Sequence, residues 1–379
     1  MTNQNDTSLQ ADLVTLLKSP SHYGAILSSK KVALGFDGFI DTIARIIRQK
    51  HTHKSHSFFN NIKDFGKYII DKEGSSFSLE SEEQLSKLGG NMPIMANALA
   101  NLGVQVSAIG AMGYPRIHPV FEELSTKSIL YSFADPGLST AYEFKDGKIL
   151  IADFHELNSH GWESIKERIG LDNLIRIYQE CDLISIVNWS EIDTSTNIWK
   201  GLLKNVFPRY INPGNKQLSF FDLSDCSKRS KASIEEALDL LKAFSTYTKP
   251  VLGLNRNEAQ IIYKLLFKKM PGKNFSTVAE KIFEKLNIDT ILLHSTKEAY
   301  VINESGTFHG ESFFVKNPKL STGAGDNFNS GYCAARLMDL DPQSSLTFAH
   351  AVSGYYVKEG RSPMLEDLIA ILSTEQKKK

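Results

Sequence analysis

The sequence is short of cysteine, carries no excess of either charge and has no long apolar run. Each shortage removes a class of protein. The only cysteines are Cys181, Cys226 and Cys333, widely spaced and without a CxxC pair. They offer no disulfide framework and no thiolate zinc site, and they favour a reducing compartment. Lysine plus arginine (43) balances aspartate plus glutamate (43), so no net field recommends nucleic acid or an anionic membrane as a partner. No apolar stretch approaches the roughly 18 residues that a membrane span needs. The opening MTNQNDTSLQ has neither the basic nor the apolar part of a signal peptide, so a cytoplasmic location is expected. Repeats and low-complexity segments are also missing. What remains is 379 residues, 41% hydrophobic and 23% charged, enough for one large domain with a sizeable core and a small appendage.

Apolar runs at Val32–Leu34, Val104–Ile109, Leu183–Val187, Leu218–Leu223, Val251–Leu254 and Ile291–Leu293 have the length and composition of buried parallel strands. Amphipathic stretches at Met92–Leu102, Thr196–Val206, Ala232–Phe244, Glu258–Phe267 and Val278–Leu286 alternate with them. The alternation predicts an α/β fold, a doubly wound and mostly parallel sheet with helices on both faces. Ser139–Phe154 breaks the rhythm with two strand-like runs around Asp146-Gly147, a hairpin signal. Arg48–Phe58 is polar and fits neither pattern. Together they suggest a small inserted β lid at the strand ends, with segments near 42–60 and 110–155. Residues 1–30 read as a helical extension with Leu9, Leu13, Leu16 and Leu17 on one face. Residues 31–372 form the main domain, and 373–379 a disordered, solvated tail.

The most informative stretch is 321–331, STGAGDNFNSG. Gly323, Ala324 and Gly325 precede Asp326, and a helix follows with Phe328, Gly331, Tyr332 and Ala335 on one face. Small residues let the backbone turn its N–H groups inward, and the helix start adds its positive dipole end. That combination makes an anion hole. A carboxylate at its mouth would repel a phosphate unless it has work there. The work that fits is taking the proton from a hydroxyl that attacks phosphorus. The plainer reading, a tight loop with Asp326 as a helix cap, would suffice if the motif stood alone.

Three further segments accompany it. Gly35–Asp41, GFDGFID, follows the first strand, where Asp37 and Asp41 would face a cleft beyond the strand ends and bond vicinal hydroxyls. Turn and cap roles are the alternative for each acid. In Leu88–Gly103, Gly89 and Gly90 make a bend whose backbone can approach a ligand closely. In Leu254–Glu258, LNRNE, Asn255 and Glu258 can orient water around Mg²⁺ and a triphosphate, although both residues are also ordinary at helix starts.

In this order, GFDGFID, GG before a helix, NxxE and GAGDNFNSG resemble the PfkB (ribokinase-like) family of carbohydrate and nucleoside kinases, over roughly residues 31–365. The resemblance implies a Rossmann-like (ribokinase-like) α/β domain with a β lid, and ATP-dependent phosphorylation of a hydroxyl on a sugar or sugar-like substrate. It makes Asp326 the catalytic base and Gly323, Ala324 and Gly325 the anion hole. Asn255 and Glu258 would act on Mg²⁺ and the phosphates, Glu258 through water. Asp41, Gly89 and Gly90 would contact the sugar. The resemblance also leaves room for a homodimer formed through the lid.

Departures from the family pattern carry information too. Ile94 stands where relatives have a substrate-touching Asn, so either Asn91 supplies that polar contact or the substrate lacks the usual hydroxyl. Gly113–Pro119 (GYPRIHP) replaces the usual GxDxxG; Arg116 and His118 could read an extra anionic or polar substrate group, and the favoured reading is a solvated loop. Lys297 and Glu298 occupy positions where the family often has glycine near the nucleotide. Leu320 replaces an Asp that helps hold a monovalent cation in relatives, so weak or absent potassium activation is expected, with Leu320 packing against the sheet instead. A nucleoside kinase and an inactive sugar-binding regulator are the alternatives. A sugar is favoured because two acids, Asp37 and Asp41, suit a polyol better than an apolar base. A dinucleotide-dependent oxidoreductase is disfavoured, because no GxGxxG follows the first strand.

Overall fold

Strand alternation, side chain up and side chain down, divides the core between the two faces of one sheet. In the computed structural model, which describes residues 20–52, 55–209, 217–313 and 315–369, the first strands in chain order are β1 (Lys31–Phe36), β2 (Phe39–Thr52), β3 (Ser55–Phe58), β4 (Ser81–Gly89) and β5 (Gln105–Gly110). Next come β6 (Ser128–Ser132), β7 (Gly137–Phe144), β8 (Gly147–Asp153), β9 (Leu183–Ile186) and β10 (Gln217–Asp222). The chain closes with β11 (Thr248–Asn255), β12 (Thr290–His294), β13 (Glu298–Asn303) and β14 (Gly306–Glu311). Nine of them form one sheet in the order β14-β13-β12-β11-β10-β9-β1-β5-β6. Every pairing from β12 to β6 is parallel; β13 and β14 add an antiparallel edge. All six apolar runs read from the sequence are parallel strands of this sheet.

Ala33, Leu252, Leu254, Ile291 and Leu293 point into one half of the core, with helices Ser195–Asn205, Lys231–Phe244, Arg256–Phe267 and Phe275–Leu286. Val32, Leu34, Val251 and Leu292 point into the other, with helices Asn91–Asn101, Ala324–Leu337 and Pro342–Glu359. Because the strands are parallel, their carboxyl ends share one edge, which is where such sheets bind ligands.

A separate small sheet joins β3, β2, β7 and β8, with β4 also paired to β2. Its long strand β2 runs straight on from the β1 end. β4 pairs antiparallel on one side of β2 (Asp41↔Lys87) and β7 parallel on the other (Asp41↔Ser139). The Asp146-Gly147 turn joins β7 to β8 as a hairpin. Residues 20–29 are a helix; residues 1–19 and the tail expected at 373–379 lie outside the described residues. No helix among the described residues is long and apolar enough to cross a membrane.

Candidate active site

The parallel strands deliver polar residues to one edge: Asp37 just beyond β1, Asn188 beyond β9, Asp222 ending β10, Asn255 ending β11 and His294 ending β12. Onto this edge comes the helix Ala324–Leu337, capped by Gly323 at φ +88°. That backbone is strained for any residue with a Cβ, and an added Cβ would also lie 2.8 Å from the Tyr356 hydroxyl and 3.3 Å from Ile94 Cδ1. Asp326 stands in the first turn, half-buried. Burial holds its carboxyl well above the usual carboxylate range, and the negative charges of Asp222, Asp37 and Glu258 push it further. The sequence-derived residues Asp37, Glu258 and Asp326 therefore gather at one place.

Asp37 and Asp41 divide there. Asp37 is 0% exposed, and its carboxylate accepts from the N–H groups of Asn91 and Met92, both at 2.7 Å, and from Asn188 Nδ2 at 2.6 Å. It thus caps helix Asn91–Asn101, whose own cap residue, Gly90, has no side chain. The expectation that Asp37 faces the cleft needs correcting: it lies beneath the bend and holds it. Asp41 is half-buried on β2, its carboxyl raised by burial and partly lowered by Lys87. The two glycines match the two acids. A Cβ on Gly89 would lie 2.4 Å from Asp41 Cγ; one on Gly90, at φ +93°, would lie 2.6 Å from Asp37 Oδ2. Asn91 sends its side-chain amide to Ser224 Oγ at 2.9 Å, on the loop after β10.

Asn255 and Glu258 form a complete capping box on helix Arg256–Phe267. The Asn255 side chain accepts from the Glu258 N–H at 3.0 Å, and Glu258 accepts from the Asn255 N–H at 2.8 Å and from its side-chain amide. Glu258 is 4% exposed, and burial together with Asp222 holds its carboxyl well above the usual range. Asp222, also raised by burial, accepts from the Ser224 N–H at 2.6 Å and from Asn329 Nδ2 at 3.0 Å. Among the described residues no three His, Cys, Asp or Glu side chains converge to ligate a metal directly. The donor set still suits a hard cation held through water, because hard cations prefer carboxylate oxygen and these acids repel one another.

Sequence reasoning missed Asp222, Asn188 and Tyr356. Asp222 had a usable signal, an acid closing the apolar run Leu218–Phe221. Asn188 and Tyr356 had none, since only tertiary packing brings them to the site. Arg116 and His118 are exposed, and His118 Nδ1 accepts from the Val120 N–H at 3.2 Å as a local cap, in keeping with a solvated loop. The segment at Leu320 is tied by the Lys319 and Leu320 N–H groups to the Val357 carbonyl, at 2.9 and 3.4 Å, on helix Pro342–Glu359.

The same architecture occurs in solved structures. Arabidopsis thaliana ribokinase, solved with ribose and ATP, superposes with a TM-score of 0.62 at 16% identity, over 90% of this chain and 98% of that one. Ribokinase from Thermotoga maritima gives 0.58 at 17% identity, over 91% and 99%. Fold and site define a sugar kinase of the PfkB, or ribokinase-like, class: an ATP-dependent phosphotransferase with an alcohol group as acceptor. The relatives narrow this further. Ketohexokinase from Haloferax volcanii is 26% identical over 345 residues, 90% of this chain and 91% of its own. A model of the prokaryotic ketohexokinase family matches residues 15–375, and the chain belongs to that family.

Proposed function

We propose that this kinase transfers the γ-phosphoryl group of MgATP to a primary hydroxyl of a ketohexose in the cytoplasm, with Asp326 as general base. The observation that carries the reading is Asp326 itself, a half-buried carboxyl in the first turn of a helix that starts at Gly323, close to Asp37, Asp222 and Glu258. The substrate class is suggested by the name of the Haloferax relative. Asp41, beside Gly89, is the acid available to the sugar hydroxyls, while Asp37, through Asn91 and Met92, keeps the bend in register. As the sugar hydroxyl attacks, its proton passes to a carboxylate oxygen of Asp326. The N–H groups around Gly323–Gly325 receive the charge that spreads over the transferring phosphoryl oxygens. Glu258 and Asn255, with Asp222 near them, would hold Mg²⁺ through water, and the ion would neutralise charge on the phosphates. Leu320 offers no ligand, so the reading includes no requirement for a monovalent cation.

A lid-to-lid homodimer belongs to the same proposal. Strand register sets Leu85, Ile43, Ala141 and Leu150 in one row across β4, β2, β7 and β8, on the face that carries Asp41. Leu85 is 49% and Leu150 68% exposed, an apolar row next to the sugar site.

The test is Asp326→Asn in a coupled assay with MgATP and a panel of ketohexoses, aldohexoses and nucleosides. General-base assistance is worth roughly 10²–10⁴-fold, so the variant should lose that much turnover while keeping its fold and nucleotide affinity. Unchanged turnover would remove Asp326 from the mechanism. A preference for nucleosides over ketohexoses would overturn the substrate class.

A further inference from the structure

A loop that turns its N–H groups toward an anion must turn carbonyls the other way, and buried carbonyls need donors. On the far side of residues 322–325 lies helix Pro342–Glu359. Two of its side chains, one turn apart, meet that row of carbonyls. The Tyr356 hydroxyl donates to the Thr322 carbonyl at 2.9 Å, and Ser353 Oγ donates to the Ala324 carbonyl at 2.9 Å. The carbonyl between them, on Gly323, accepts from Asn327 Nδ2 at 2.9 Å and from the Asn327 N–H at 3.0 Å. Asn327 is itself held by Ser362 Oγ at 2.8 Å. Three consecutive carbonyls of the loop are thus each taken by a protein donor.

We infer that Tyr356 and Ser353 are positioning residues: they grip the loop from behind and pre-set its N–H groups for the transferring phosphoryl group. Tyr356 is 8% exposed, so its ring has little freedom to leave. Its position against Gly323 also explains in part why no side chain fits there. Burial first, then the nearby charges of Asp326 and Asp41, raise its hydroxyl to about 12, which keeps it a donor across the working range. Preorganised donors cost no rearrangement at the moment of reaction, and slack in the loop would therefore appear in kcat.

The inference rests on the proposed phosphoryl transfer at Asp326, so its test has one readout that does not. In Tyr356→Phe, amide hydrogen exchange at residues 323–326 of the ligand-free protein should accelerate by about tenfold, the factor expected for one lost hydrogen bond to a partly buried carbonyl. In turnover, kcat should fall by about tenfold while KM for the sugar stays within about twofold. Ser353→Ala should act in the same direction, and serves alone should the phenylalanine variant fail to fold. Unchanged exchange and unchanged kcat in both variants would overturn the clamp. A raised sugar KM with unchanged kcat would also overturn it, because Tyr356 would then be a substrate contact. If the parent phosphorylates no sugar, the functional reading fails, and the exchange rates still decide whether the clamp exists.

Discussion

Asp37 and Asp41 sit in one seven-residue motif and are chemically alike, yet the fold gives them different work. Asp37 satisfies two helix-start N–H groups and one side-chain amide. Removing it leaves all three donors buried without a partner. Asp37→Ala should therefore cost about 2–4 kcal/mol of stability, measured by urea unfolding. Its pH dependence has a definite sign. Burial raises the carboxyl from 3.8 to about 6, so the folded protein holds the proton more tightly than the unfolded chain does. The group's contribution is then full below 3.8 and declines as pH rises through about 6. The Asp37→Ala penalty should be larger at pH 5 than at pH 7.5; the reverse order would contradict this account. Asp41→Ala should leave the unfolding curve nearly unchanged and weaken sugar binding by about 1.5–3 kcal/mol, the value of a charged hydrogen bond. Calorimetry that finds equal sugar affinity would return Asp41 to a local structural role. The sequence shows two acids near a strand end; only burial tells them apart.

At the scale of elements, the legible part of the fold is the part whose pattern repeats. Fully buried strands such as Leu183–Ile186 write themselves as uninterrupted apolar runs, and their parallel partners do the same. β4, SEEQLSKLG, is mostly polar and more than half exposed, so no alternation marks it, and its pairing with β2 is a tertiary outcome. Helix Pro342–Glu359 is buried around much of its circumference and so lacks a one-sided stripe, although Asp341 before Pro342 is an ordinary helix start. In the site, the GAGD turn and the NxxE box were readable because their conformations need those residues locally. Asp222 showed only as an acid closing a strand, because its part in the site runs through Asp326 and Glu258, both distant in sequence. A test follows at the ends of these elements. Asp222→Asn removes a negative charge that raises the Asp326 carboxyl, and an acid loses its proton more easily when a like charge leaves. The acid limb of the kcat/KM profile should move to lower pH. A limb that stays in place would show that Asp222 does not act on the base.

For the whole molecule, the proposed lid-to-lid dimer turns on whether the proposed sugar site is complete in one chain. A narrow sheet with one face on the cleft leaves its outer parts uncovered. Leu85 and Leu150 are exposed there, in a cross-strand row on the same face as Asp41. Two copies meeting through this row would bury apolar surface at roughly 25 cal/mol per Å² and shield the sugar from water at the same time. A lone lid would do neither well. Leu85→Lys with Leu150→Lys places like charges on both partners of such a contact, which costs far more than the lost apolar area alone. Mass photometry should show the parent as a dimer and the double variant as a monomer. The monomer should retain nucleotide affinity, since the loop at Gly323–Asp326 is untouched, and show a raised KM for the sugar. A parent that is monomeric at assay concentration, or a monomeric variant with an unchanged sugar KM, would show that the lid serves its own chain alone.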